Sequence, residues 1–268
     1  LAQLIDRYPG QIGAIEIWNE ANLEREWNVA GGVSPRAFAE FVQASAAAIN
    51  TWDFAALKFD ATDGAPLDTI RVSAPGAGID QATEFRKDPA GNLYITGSRQ
   101  LNAQRDMQTV KLTNAFALAW VANYDGGNGD DIARTVASDN SGSVYVAGQS
   151  ANASGGTDMT TCKYDASGNQ VWTKRITPQQ AVWQAGARKM AVTTDGGVVI
   201  SGTIFNGTSK DLITVKYDAA GKLLWTKTYD GLDGSEDEAL GLLTDANGNV
   251  FVSGRSTSTN GAVYTTVK

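Results

Sequence analysis

The chain has no histidine and a single cysteine, Cys162. Without imidazole there is no serine–histidine or cysteine–histidine nucleophile, and most zinc chemistry is removed with it. Acid–base chemistry therefore falls to carboxylates. The sequence gathers them in three places. In Ile17-Trp18-Asn19-Glu20-Ala21-Asn22-Leu23-Glu24-Arg25-Glu26-Trp27, the carboxylate of Glu20 follows the amide of Asn19 and lies between the indoles of Trp18 and Trp27. The other two places are loops, Asp125-Gly126-Gly127-Asn128-Gly129-Asp130-Asp131 and Asp230-Gly231-Leu232-Asp233-Gly234-Ser235-Glu236-Asp237-Glu238. Oxygen-rich loops bent by glycine can hold calcium, although neither contains a complete EF-hand pattern. The plainer reading is a solvated connection with no cofactor, and calcium is the alternative.

The remaining composition narrows the partners. Net charge is −7, from 22 basic and 29 acidic residues in 268. That balance lacks the basic footprint that phosphate backbones or anionic lipids require, so neither nucleic acid nor membrane is an expected partner. No stretch approaches the ~18 continuous apolar residues of a membrane span. One cysteine excludes an internal disulfide framework and any multi-cysteine metal site. The start, Leu1-Ala2-Gln3-Leu4-Ile5-Asp6, carries neither an initiator methionine nor a basic leader, and reads as cut from a longer chain. Glycine is abundant, at 29 residues, which implies many tight turns and hence β structure.

Self-similarity supplies the elements that must position these groups. A pattern of aromatic or valine, aliphatic, small residue, glycine recurs as Tyr94-Ile95-Thr96-Gly97, Tyr145-Val146-Ala147-Gly148, Val199-Ile200-Ser201-Gly202 and Phe251-Val252-Ser253-Gly254, with glycines 51, 54 and 52 residues apart. A lysine anchor keeps the same phase as Leu57-Lys58-Phe59, Val110-Lys111-Leu112, Cys162-Lys163-Tyr164, Val215-Lys216-Tyr217 and Val267-Lys268. Nine residues after the first four lysines stand Leu67, Trp120, Trp172 and Trp225. Cys162 therefore fills a small buried apolar position rather than a reactive one. The recurring tryptophans are expected to pack between sheets rather than to stack on sugars, which leaves Trp183 as the better candidate for an exposed contact.

Each repeat reads as four short strands joined by Asp-x-x-Gly turns, among them Asp88-Pro89-Ala90-Gly91, Asp139-Asn140-Ser141-Gly142 and Asp218-Ala219-Ala220-Gly221. A four-stranded unit of this size cannot cover both of its faces. It must stack on its neighbours, and radial stacking of such units is a β-propeller. The expected strand sequence is two, then three sets of four, then three, an arc of about four blades that is incomplete or closes in some other way. Asp80, Asp131 and Asp237 recur 17 residues before the glycine anchor, but Ala185 breaks the series, which fits local capping better than a ring-shaped site.

The signatures Asp-x-x-Gly-Asn-x-Tyr-x-x-Gly and Lys-Tyr-Asp-x-x-Gly…Trp resemble those of the bacterial SBBP-type, seven-bladed β-propeller repeat. That resemblance implies an extracellular or cell-surface scaffold binding a protein or glycan, and it brings no catalytic residues. Residues 1–50 lack the repeat phase. Leu1, Leu4 and Ile5 have helical spacing, Ile12 to Ile17 reads as a buried parallel strand, and Ser34-Pro35 opens a second helix. Here the Trp18-Asn19-Glu20 segment resembles the fourth strand and following loop of clan A glycoside hydrolases, whose fold is a TIM barrel. The resemblance implies Glu20 as general acid/base, Asn19 as a ligand of the sugar hydroxyl beside the scissile bond, and Trp18 with Trp27 as sugar-binding residues. Ala21 stands where that family has proline, and no strand for a nucleophile follows.

The expectation is thus a mainly β chain. A short α/β fragment of TIM-barrel type over residues 1–50 precedes propeller repeats over 51–268, divided as 51–79 (partial), 80–129, 130–184, 185–236 and 237–268 (partial). The expected function is a non-enzymatic extracellular binding or scaffold module carrying a glycoside hydrolase remnant. The alternative is a piece of a retaining glycoside hydrolase with a propeller appendage. Uncovered blade faces would favour self-association.

Overall fold

In a computed structural model the described residues are 53–72, 79–101, 103–179, 185–231, 236–258 and 261–267. The expected α/β fragment, with Trp18, Asn19, Glu20 and Trp27, lies outside them, as do Trp52 and Trp183. The described residues form 17 strands and no helix. A first sheet pairs β1 (Phe54–Phe59) with β2 (Pro66–Val72). The second contains β3 (Gln81–Lys87), β4 (Leu93–Leu101), β5 (Gln104–Leu112) and β6 (Leu118–Tyr124). The third contains β7 (Asp131–Ser138), β8 (Val144–Ala151), β9 (Thr157–Tyr164) and β10 (Gln170–Ile176). The fourth contains β11 (Ala185–Val192), β12 (Val198–Phe205), β13 (Lys210–Tyr217) and β14 (Leu223–Tyr229). The fifth contains β15 (Asp237–Thr244), β16 (Val250–Ser258) and β17 (Gly261–Val267). All pairings are antiparallel and sequential, and no sheet among the described residues closes on itself.

The sheets stack in chain order, and the core lies between them rather than within any one of them. Phe54, Ala56, Ile70 and Val72 of the first sheet meet Leu93, Ile95, Val110 and Leu112 of the second. Tyr145, Met159 and Trp172 of the third meet Val198, Ile200, Ile213 and Val215 of the fourth. The first strands of successive sheets, β3, β7, β11 and β15, lie next to one another. A row of sequential four-stranded sheets whose first strands are neighbours is the arrangement of a β-propeller-like arc.

The repeated residues explain the stacking. Trp120 Nε1 and Lys111 Nζ both donate to the carbonyl oxygen of Ala166 in the next sheet, at 3.1 and 3.3 Å. Trp172 Nε1 and Lys163 Nζ do the same to Ala219, at 3.2 and 3.0 Å. The lysine also lies over the tyrosine of its own sheet, Lys111 5.6 Å from the Tyr94 ring and Lys163 5.0 Å from that of Tyr145. Both accepting carbonyls sit in Asp-x-x-Gly turns. A Cβ at Gly168 or Gly221 would run into the indole of Trp120 or Trp172. Lysine, tyrosine, tryptophan and turn glycine thus form one joint between neighbours, and Trp172 is 9% exposed within it.

A second repeated feature shapes the inner edge. The β3–β4, β7–β8, β11–β12 and β15–β16 pairs each carry a bulge at the same position, which leaves Thr83, Arg134, Arg188 and Leu240 without a cross-strand partner. Opposite each bulge stands the glycine anchor. A Cβ on Gly148 would overlap the carbonyl oxygen of Ile132, and Gly97, Gly202 and Gly254 are crowded in the same way. The glycine that fixes the sequence period is therefore required by the bulge.

Candidate functional site

Two chemically distinct regions lie at the end of the sheets where the first strands begin. Between the second and third sheets, Asp106 of β5, Asp125 of the connecting loop and Asp131 of β7 bring carboxylate oxygens within 4.8 Å of one another, and Asp211, Asp230 and Asp237 repeat the arrangement between the fourth and fifth. The loops are drawn inward by their own aspartates. Gly126 N–H donates to Asp131 Oδ2 at 2.5 Å and Gly231 N–H to Asp237 Oδ2 at 2.7 Å. Asp131 and Asp237 are buried, and in each the second oxygen, Oδ1, is enclosed and makes no hydrogen bond of normal geometry among the described residues, although the hydroxyls of Ser150 and Ser256 lie near them. Burial raises the pKa of Asp131, and of Asp106, whose carboxylate also feels the charge of Asp125. Asp230 is raised first by the charge of Asp211. The donor set is all oxygen, which suits a hard cation.

The second region is the ring of bulge residues. Thr83 Oγ1 donates to the carbonyl of Ala133 on the next first strand, at 2.7 Å. Arg188 reaches Glu238 of β15 at 3.3 Å, and Arg255 holds the same carboxylate at 3.1 Å. Arg134 has no such acid. In the repeat, the place that Glu238 occupies on β15 belongs to Gly186 on β11, and no hydrogen bond or ion pair of the Arg134 guanidinium occurs among the described residues. Its pKa is lowered by burial, then by the charges of Arg188 and Arg105. A cavity of about 190 Å³ opens beside this ring, lined by Gln149, Gly186, Arg188, Lys210, Glu238 and Arg255 among others.

No family model matches the chain. The regulatory protein FlaEY of Caulobacter vibrioides is 30% identical over 119 residues, which cover 39% of this chain and 12% of that protein. The chain thus matches only a small part of that relative's length. Among solved structures, the Dos1 propeller aligns over 75% of this chain and 48% of its own, at 10% identity and a TM-score of 0.49. An endo-arabinase from Bacteroides thetaiotaomicron aligns over 82% and 87%, at 10% identity and a TM-score of 0.39. The exo-beta-1,3-galactanase 1,3Gal43A from Clostridium thermocellum aligns over 81% and 53%, at 13% identity and a TM-score of 0.36.

Of the residues singled out from the sequence, Cys162 is fully buried, with its thiol pushed up to about 12 by desolvation, and it packs in the core while its sulfur accepts from Thr173 Oγ1. Trp120 and Trp172 belong to the joints between sheets. The catalytic and sugar-binding candidates Trp18, Asn19, Glu20 and Trp27 fall outside the described residues. The acidic loops do converge, but on partners the sequence reading passed over. Asp106 and Asp211 were the missing members, and their signal was available, since an aspartate stands five residues before each of the first four lysine anchors: Asp53, Asp106, Asp158 and Asp211. Arg134 and Arg188 were likewise passed over. Their signal is a shared place three residues after Asp131 and Ala185, directly following Ala133 and Ala187 at the bulges.

Proposed function

We propose that this chain is a non-enzymatic, extracellular or cell-surface binding module of the β-propeller type, which takes a protein or glycan ligand at the inner rim of the arc. One observation supports this above all. A bulge held constant in four sheets carries side chains that vary as threonine, arginine, arginine and leucine, and one of them, Arg134, is a partly buried cation with no ion pair among the described residues. Bulges re-aim side chains at functional rims. A guanidinium removed from water without a carboxylate retains its capacity for bidentate contact with an anionic group. A ligand bearing a carboxylate or phosphate is what such a rim would hold.

The test is binding of the purified chain to arrays of acidic glycans and acidic peptides, alongside Arg134→Ala and Gly186→Glu. The substitution at Gly186 restores an internal acid where Glu238 provides one to Arg188. Ligands retained by the wild type and lost by both variants are the expected result. An identical binding profile in all three would overturn the reading.

A second reading rests on the segment Trp18-Asn19-Glu20 and its resemblance to clan A glycoside hydrolases. In that reading the chain is part of a retaining glycosidase with Glu20 as acid/base, Asn19 holding a sugar hydroxyl and Trp18 and Trp27 binding sugar. Hydrolysis of an aryl glycoside by the chain, abolished by Glu20→Gln, would favour it over a pure binding module.

A further inference from the structure

We infer that the two acidic triads are calcium sites, one seated between the second and third sheets on Asp106, Asp125 and Asp131, the other between the fourth and fifth on Asp211, Asp230 and Asp237. The inference is independent of what the inner rim binds.

Three carboxylates with oxygens within 4.8 Å repel one another unless a proton or a cation lies between them. The buried members are built for a cation. Asp131 is 0% and Asp237 1% exposed, and in each the Oδ1 atom is sealed from solvent and makes no hydrogen bond of normal geometry among the described residues. Leaving a buried carboxylate oxygen without a donor is costly. The neighbours of the buried aspartate are the same in both places. Asp131 stands across the strand pair from Ser150, and Asp237 from Ser256. A Cβ on Gly126 or Gly231 would meet those serine hydroxyls and the aspartate oxygens, so the loop backbone is drawn tightly over each triad.

The junction between the third and fourth sheets serves as an internal control. Asp158 is kept there, but Thr177-Pro178 stands in place of the Asp-Gly pair, Ala185 in place of the buried aspartate, and Ile204 in place of the serine opposite it. The loop carboxylate, the buried carboxylate and the serine are lost together. The remaining Asp158 is neutralised by a guanidinium, Arg175 Nε lying 2.8 Å from its Oδ2. An acid kept only for loop capping would not need its companions to disappear with it.

The two sites differ in surrounding charge. Arg99 lies 3.2 Å from Asp106 in the first. In the second, Lys210, Arg188 and Arg255 are committed to Glu236 and Glu238, and no ion pair reaches Asp211, Asp230 or Asp237 among the described residues. Oxygen-only sites with few protein ligands hold calcium with dissociation constants of about 10⁻⁴ to 10⁻³ M in extracellular modules.

The experiment is calorimetric titration of the chelator-treated chain with calcium chloride, repeated with terbium to read luminescence sensitised by Tyr124 and Tyr229 beside the loops. Two calcium ions per chain are expected. Asp125→Asn and Asp230→Asn change exposed residues and so leave folding intact, and each should weaken one site at least tenfold while sparing the other. Asp131→Asn and Asp237→Asn should each remove one site, and Asp158→Asn should remove none. Absence of calcium heat and of terbium luminescence at millimolar concentrations would overturn the inference, as would affinities that the Asp125 and Asp230 variants leave unchanged or a stoichiometry of two that survives Asp131→Asn and Asp237→Asn.

Discussion

Asp131 shows what folding does to a single carboxylate when its neighbours are also acids. One oxygen accepts the Gly126 amide, the other makes no hydrogen bond of normal geometry among the described residues, and burial holds the group above the ordinary carboxylate value of 3.8. A group whose native pKa is raised contributes stability that is complete below its unfolded value and is lost as pH rises through the native one. Asp195 has the opposite sign. Its ion pair with Lys216 at 2.8 Å lowers it, so its contribution is present above 3.8 and is lost as pH falls through the native value. In calcium-free buffer, Asp131→Asn is expected to stabilise the chain by about 1 kcal/mol at neutral pH, because the amide oxygen keeps the Gly126 contact while its N–H groups face Asp106 and Asp125. The same substitution should flatten the fall in melting temperature between acid and neutral pH. Thermal melts across that range, with and without the substitution, provide the measurement. Asp106 was hard to foresee because its partners come from a different repeat, and a one-dimensional period shows which positions are equivalent but not which of them meet.

At the scale of the strand, the glycine anchors were legible as a period before their cause was. Their spacing announced four-stranded units, yet nothing in the sequence says that the strand facing each glycine carries an extra residue. The bulge between Ala133 and Thr135 brings the backbone of β7 onto Gly148, and the crowding at its neighbours Gly97, Gly202 and Gly254 follows from the same offset. Gly148→Ala is therefore expected to cost about 3 kcal/mol or more, since backbone rather than a flexible side chain must move. Gly127→Ala, at a loop position with φ +80 and open space around it, should cost about 1 kcal/mol for its backbone conformation alone. Denaturant midpoints of the two variants measure the difference, and equal losses would mean that the bulge is not rigid. The Asp-x-x-Gly turns were readable in full, because their chemistry is local. Asp139 Oδ1 accepts the amides of Ser141 and Ser143, and Gly142 takes φ +83.

At the scale of the whole arc, stability is shared between neighbours, because the apolar clusters bridge one pair of sheets at a time. Trp172 stands in one such joint, its ring 5.9 Å from those of Tyr145 and Tyr217. Trp172→Ala is expected to remove roughly 3 to 5 kcal/mol from that joint. Amide exchange should accelerate in β7 to β14 while β3 to β5 keep their protection, as a linear array with nearest-neighbour coupling requires. Uniform acceleration along the chain would indicate a single cooperative core instead. The sequence foretold that the tryptophans pack rather than bind, since a residue repeated at one place in three successive units serves what those units share. It could not foretell the carbonyl that Trp120 and Trp172 each reach, which sits in the following unit. That forward reach is shared by two successive joints, from the second sheet to the third and from the third to the fourth, whereas the first sheet has Leu67 at the tryptophan place and Lys216 of the fourth pairs with Asp195. The third sheet receives and extends the same joint, so duplicating it would set its tryptophan and lysine against a copy of its own acceptor turn, a length change of one repeat that keeps this contact at the splice.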